Sequence, residues 1–291
     1  MSFACPAETN WMIIDAHQHF WQYDSRRHGW ITDAMAVLKR DFLPADLAPL
    51  LVQNHVDRTV AVQAETSLRE TEFLLELAEQ SERIAGVVGW IDLTSPTIVE
   101  QLQSFKGRKK LCGFRHLVQD EPDDRYLLRE DVMRGIRAIG DAGFTYDILV
   151  YPRQLPAAIE LVSRFPNQRF VLDHCAKPFI KTRQFEPWAT HIRELAQFPQ
   201  VCCKLSGLIT EADWHSWQPT DLRPYLDLVV EAFTPSRLMF GSDWPVCLLA
   251  GEYAAVKGSI ESYAQQFSPQ DREFIFGTVA AQFYDLKDVV L

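Results

Sequence analysis

The run WMIIDAHQHF, residues 11–20, opens with four apolar residues and closes on an acid and two histidines. A continuous apolar run of this kind reads as a strand buried on both faces, as in a parallel sheet covered by helices. Seven more follow it: RTVAVQAE (58–65), IAGVVGWIDL (84–93), LCGFRHLVQ (111–119), TYDILVYP (145–152), RFVLDHCAKP (169–178), VCCKLSGL (201–208) and RLMFGSDWP (237–245). Helical patterns lie between and after them, at 71–81, 131–143, 155–166, 222–233, 253–267 and 268–284. Gly143 ends the second of these, and Pro156 and Pro166 bracket the third. Eight strands alternating with helices predict one α/β domain over 1–291, a (β/α)8 TIM barrel. A doubly wound open sheet would place G-x-G-x-x-G after the first strand, and none is there. The long segment 21–50, rich in Trp, Asp and Pro, is expected to form a lid or ordered loop over the barrel mouth.

Composition narrows the function. The chain has 291 residues, 47% hydrophobic and 23% charged, with a formal net charge of -10. That acidity argues against a broad nucleic-acid surface. No apolar stretch approaches the roughly 20 residues that span a bilayer. The opening MSFACPAETN lacks a charged region followed by an apolar one, so a cytoplasmic location is expected. Cys5, Cys112, Cys175, Cys202, Cys203 and Cys247 form no C-x-x-C pair and read as reduced thiols. Strand alternation should turn Cys175 away from the face used by His174.

In a TIM barrel, function gathers at the C-terminal strand ends. Those ends carry His17 and His19, Gln63 and Glu65, Arg115 and His116, Asp147 and Tyr151, Asp173 and His174, Lys204 and Ser206, and Ser242 to Trp244. Polar groups on apolar strands are costly unless paired or used. H-x-H on a strand sets both imidazoles on one face, where they can chelate a divalent metal or polarise a substrate oxygen. Alone, H-x-H more often marks hydrogen-bonded structural histidines; its place at the end of strand one, with His174 and Asp243 at two other strand ends, is what favours function. Asp243 alone fits a strand-to-loop turn or helix N-cap.

DAHQHFW (15–21), LDHCAKP (172–178) and FGSDWP (240–245) together resemble the amidohydrolase superfamily, in order and over nearly the whole chain. The nearest resemblance is to its sugar lactonase branch, which includes L-fuconolactonases, L-rhamnonolactonase-like proteins and pyrone-dicarboxylate lactonase. The resemblance implies hydrolysis of a sugar (aldono)lactone, L-fuconolactone or a close relative, in carbohydrate metabolism such as fucose catabolism. It implies that Asp243 is the general base for water, a role that needs a pKa near neutrality or help from a cation. His17, His19 and His174 would then bind the carbonyl and stabilise the oxyanion.

The metal pattern departs from that of other superfamily members. Strand four has no bridging lysine and strand five has no histidine. A two-metal site is not expected. A single Zn²⁺ on His17, His19, His174 and Asp243 stays open, and metal-independent catalysis aided by Arg115 is the preferred reading. An alternative is a metal-dependent decarboxylase or hydratase of the same superfamily, which the missing strand-five histidine disfavours. The intact Asp243 and histidines argue against a barrel used only for binding.

Arg115 is expected to touch substrate or oxyanion, with His116 on the opposite face. Tyr151 and Glu65 are candidates for sugar hydroxyls, and Lys204 with Ser206 for the pocket. Trp21 and Trp244 are the aromatics expected against a sugar face, while Trp30, Trp214 and Trp217 fit loop packing. Asp120–Asp124 and Arg108–Lys110 read as solvated faces. The expected partner is a small sugar lactone, with no nucleic acid or membrane, and a homo-oligomer is possible.

Overall fold

The computed structural model describes residues 11–287; Cys5 lies outside the described residues. The eight runs form eight parallel strands: β1 Ile14–Gln18, β2 Arg58–Val62, β3 Ile84–Gly89, β4 Leu111–His116, β5 Thr145–Ile148, β6 Phe170–Leu172, β7 Val201–Leu205 and β8 Leu238–Phe240. They pair in sequence order. Among the described residues ten α-helices surround and cap them: α1 Pro44–Gln53, α2 Leu68–Gln80, α3 Ile98–Ser104, α4 Glu130–Asp141, α5 Leu155–Arg164, α6 Trp188–Leu195, α7 Pro219–Phe233, α8 Tyr253–Ala264, α9 Pro269–Glu273 and α10 Val279–Phe283. This is the (β/α)8 barrel that the alternation predicts. α1, α3 and α6 are short, at 10, 7 and 8 residues, and were not expected. The expected last helix is broken by a π-turn at Phe274–Thr278. There Gly277 backs onto the Met12 carbonyl, which would lie 2.2 Å from any Cβ.

Two apolar layers hold the barrel. Ile14, Ala16, Val60, Val62, Val88, Val171 and Met239 fill its interior. Val279, Ala280, Phe283 and Tyr284 from the α10 region join that cluster and plug the N-terminal end. The larger outer layer packs strands against helices. The barrel closes between β1 and β8 beyond the strand ends. A parallel bridge joins Gln18 to Trp244, Asp243 donates its backbone N–H to His17 O at 2.8 Å, and His19 donates to Trp244 O at 2.7 Å. The 21–50 segment is ordered, with a 3-10 turn at Asp33–Leu38 before α1. No helix among the described residues is long and apolar enough to cross a membrane.

One irregularity orients the site. Asp15, His17 and His19 are all odd-numbered, so strict alternation would put them on one face. Asp15 in fact points out toward α8, accepting from Tyr253 OH at 2.9 Å, while Ile14 and Ala16 point in. Between Asp15↔Thr59 and Gln18↔Ala61 three steps on β1 face two on β2, a β-bulge. The extra residue turns His17 inward after Ala16, and His19 follows it.

Candidate active site

A cavity of about 430 Å³ opens at the C-terminal ends of the strands. His19, Arg115, His174 and Asp243 line it, with Trp21, Trp30, Tyr151, Trp214, Lys177 and Glu211 among its walls. His17 lies beneath, fully buried. The Nε2 atoms of His17, His19 and His174 stand 3.9, 3.3 and 3.9 Å from Asp243 Oδ1. His17 Nε2 and His19 Nε2 are 3.2 Å apart.

Local backbone makes this convergence possible. Asp243 has φ 57 and sits at the barrel closure. His174, Cys175, Ala176 and Lys177 form a 3-10 turn with φ of 53, 52, 59 and 51. Four consecutive left-handed non-glycine residues are costly, about 1–2 kcal/mol each. The turn is held by Lys177 N–H to His174 O at 2.8 Å and by the Trp188 indole N–H to Cys175 O at 2.7 Å. Cys175 is buried away from the cavity, but this turn places it there, since β6 has already ended. Two glycines leave room for the imidazoles. A Cβ on Gly207 (φ +63) would lie 2.5 Å from His174 Nδ1, and one on Gly241 would lie 2.6 Å from His17 Cβ.

The ring nitrogens facing away from the cavity are all engaged. His19 Nδ1 lies 2.8 Å from Val62 O, so that nitrogen donates to the carbonyl and Nε2 is the one turned to Asp243. His174 Nδ1 is 2.9 Å from Ser206 Oγ. His17 Nδ1 lies 3.1 Å from Lys204 Nζ and 3.4 Å from Asp173 Oδ1, and its Nε2 lies 3.2 Å from an Arg115 nitrogen. Burial and then Lys204 hold the His17 pKa well below the usual histidine value. Burial lowers His174 to about 4 against the pull of Asp243 and Asp173. Burial pushes the Asp243 carboxyl up, but His174, the contact with His19, and His17 outweigh it, and the group stays below the usual carboxylate range. A base near neutrality was one of the two conditions for its role; the structure leaves the other, help from a cation.

Beneath the cavity runs a sealed ionic chain. Lys204 Nζ contacts Asp147 Oδ2 at 2.6 Å and Asp173 Oδ1 at 3.0 Å, all fully buried. Asp173 Oδ2 accepts from Arg115 at 2.9 Å. Asp147 Oδ2 also accepts from Tyr284 OH at 2.7 Å, reaching up from the α10 plug.

Several expected substrate contacts are relocated. Lys204 is within the barrel, as expected, but lies below His17 with no exposed surface, because two buried carboxylates demand its charge. Arg115 reaches the cavity, yet its five N–H groups already have partners within the protein: the Gln63 side chain twice, the Gln63 carbonyl, Asp173 and His17. It acts there as a fixed positive charge and a brace. Trp244 is 1% exposed and packs edge-on against Phe20 and Phe42, so no sugar can reach it. Glu65 turns from the cavity to pair with Arg27 at 2.7 Å and His28 at 3.4 Å, pinning the 21–30 loop. Tyr151, Trp30 and Trp214 line the cavity, whereas Trp21 borders it fully buried, packed on His28, Trp30 and Phe42 with its indole N–H donated to Arg40 O at 2.9 Å. Trp217 donates its indole N–H to Ala250 O at 2.7 Å. His116 faces away, between Trp90 and Glu121. Sequence reasoning placed Gln63 and Asp173 at strand ends without giving them a role, and did not assign Lys177 or Glu211 to the site. Asp173 and Lys177 sit in the motif 172–178, but nothing in the spacing shows what they touch.

His17, His19 and Asp243 form a set whose potential ligand atoms lie within 4.8 Å of one another. His19 Nε2 lies 3.2 Å from His17 Nε2 and 3.3 Å from Asp243 Oδ1, so three atoms that can each offer a lone pair converge on one point. A positive centre, either a shared proton or a divalent cation, resolves that, and three imidazoles with one carboxylate are a donor set suited to zinc. By fold and site the chain belongs to the amidohydrolase family, whose model matches residues 14–286. Among curated proteins it is similar to the L-fucono-1,5-lactonase of Burkholderia multivorans, 43% identical over 286 residues, covering 94% of this chain and 96% of that one. The L-fucono-1,5-lactonase of Burkholderia ambifaria is 41% identical over 277 residues, covering 93% and 94%. Among solved structures, an amidohydrolase from Burkholderia multivorans with bound zinc superposes with a TM-score of 0.91 at 43% identity, covering 94% and 99%.

Proposed function

We propose that this enzyme opens a sugar aldonolactone, L-fuconolactone or a close relative, to the sugar acid. The observation that carries the reading is the meeting of three histidine Nε2 atoms on Asp243 Oδ1 in a cavity walled by aromatic rings. The likeness to two L-fucono-1,5-lactonases over nearly the whole chain supports it.

The lactone carbonyl sits toward the histidines, with Asp243 beside the attacking water. Asp243 takes the water proton as oxygen adds to the carbonyl carbon. With Ser206 donating to its Nδ1, neutral His174 presents an Nε2–H to the developing oxyanion, and the Arg115 charge favours the same anion. The tetrahedral intermediate then collapses, the ring C–O bond breaks, and the alkoxide receives the proton from Asp243. Because Asp243 is a weak base, the step depends on the positive field around the water. Were a zinc ion held by His17, His19, His174 and Asp243, His174 would instead carry its proton on Nδ1, toward Ser206, and the ion would supply the Lewis-acid polarisation of the water or carbonyl.

A pH-indicator assay over a panel of sugar lactones, with and without a strong chelator, tests this. Acid release from fuconolactone is expected, with Asp243→Asn folded and reduced by a factor of about 10³ or more. Release that survives chelation assigns the chemistry to the protein groups alone, and release that chelation abolishes adds the metal. No release from any lactone sinks the reading.

A further inference from the structure

Lys177 and Glu211 face each other across one wall of the cavity, and neither has a part in the chemistry above. Their side chains are each 19% exposed and their charged atoms stand 3.9 Å apart. That distance is within ion-pair range but too long for a direct hydrogen bond. Among the described residues, neither the Lys177 ammonium nor the Glu211 carboxylate makes a side-chain hydrogen bond closer than this contact. Two largely buried, opposite charges held just out of hydrogen-bond reach leave donors and acceptors unspent.

The fold aims both at the substrate. A 3-10 turn brings every third residue to the same side, so the left-handed turn that delivers His174 also delivers Lys177. Lys177 Nζ lies 5.4 Å from the centre of the Tyr151 ring, which supports the ammonium from behind. Glu211 ends the 3-10 turn Ile209–Glu211 after β7. Its neighbours have spent their polar atoms: Thr210 Oγ donates to Gly207 O and the Trp214 indole to Thr210 O, both at 2.8 Å.

We propose that the Lys177–Glu211 pair is a specificity subsite that reads adjacent hydroxyls of the lactone, one hydroxyl donating to Glu211 while it or its neighbour accepts from Lys177. This rests on the lactonase reading and names what selects its substrate. The pair is neutral overall and Arg115 is fully engaged, so the subsite favours an uncharged polyol edge over a second carboxylate.

The test compares a polyhydroxylated aldonolactone with δ-valerolactone, which has the ester but no hydroxyls. Wild type, Glu211→Gln and Lys177→Met are assayed for kcat and KM on both, with thermal melts as a folding control. Each variant is expected to lose about 10–100-fold in kcat/KM on the aldonolactone, mainly through KM. That loss should exceed the loss on δ-valerolactone at least tenfold. Equal losses on both lactones, or none on the aldonolactone, overturn the subsite and leave the lactonase reading standing. A wild-type protein that opens neither lactone overturns the lactonase reading and the subsite with it.

Discussion

Lys204 shows what a single side chain contributes at the residue scale. It is fully buried, and burial would strip its proton, yet Asp147 and Asp173 raise its pKa above the ordinary lysine value. Removing it leaves the buried Asp147 carboxylate without a cation and Asp173 with Arg115 alone, which costs about 3–5 kcal/mol. Lys204→Met should therefore lower stability by that amount in urea unfolding and also disturb His17, whose Nδ1 it touches. Adding Asp147→Asn should recover part of the stability while activity stays low. If the double variant is as active as wild type, Lys204 has no role in holding His17. Asp173 is bound by the same logic. It touches Lys204, Arg115 and His17 at once, and burial is outweighed by Lys204, then by the contact with His17 and by Arg115, so its carboxyl is held well below the ordinary range.

At the scale of elements, the join between β2 and α2 stores a proton. Glu70, in the first turn of α2, accepts the Ala64 N–H at 2.9 Å, and burial pushes its carboxyl up from 4.5 to about 7. The folded state thus holds a proton that the unfolded chain releases. The stability from this group is full below pH 4.5 and is lost as pH rises through about 7. Glu70→Gln stays neutral throughout and keeps an acceptor for Ala64. Its stability relative to wild type should rise by about 3 kcal/mol between pH 4.5 and 8 in denaturant titrations. A difference that does not change with pH would refute this. Both the bulge in β1 and the left-handed turn after β6 are likewise element-level devices, each aiming histidines that strand periodicity alone would misplace.

For the whole molecule, the site lies on the line where the barrel closes. Its donors come from β1, the turn after β6 and the loop after β8, so a cation bound among them would tie the two ends of the sheet together. Asp147 and Asp173 face Lys204 and Arg115, while Asp243 meets only the three histidines, so the carboxylate at the cavity welcomes further positive charge. Zinc at about 100 times its dissociation constant should add about 2.7 kcal/mol, several degrees in Tm. The shift should vanish in His19→Asn. A Tm indifferent to zinc would mean that a proton, not a metal, bridges His19 and Asp243.

The strand count, the barrel and the four polar residues His17, His19, His174 and Asp243 were legible in the sequence. Apolar runs with polar ends repeat along the chain, and that pattern is local. Four things were decided only by tertiary structure. The first is which way the H-x-H faces, because a one-residue bulge is set by pairing with β2. The second is that Lys204 lies under the site and not in it, because Asp147 and Asp173 come from other strands. The third is that Arg115 is a brace and Trp244 is packing, because Gln63, Phe20 and Phe42 claim them. The fourth is that Lys177 meets Glu211, because residues 34 positions apart approach only when turns after neighbouring strands fold over the same mouth. Periodicity reports the face of an element, and it is the partners across the barrel that determine what each face touches.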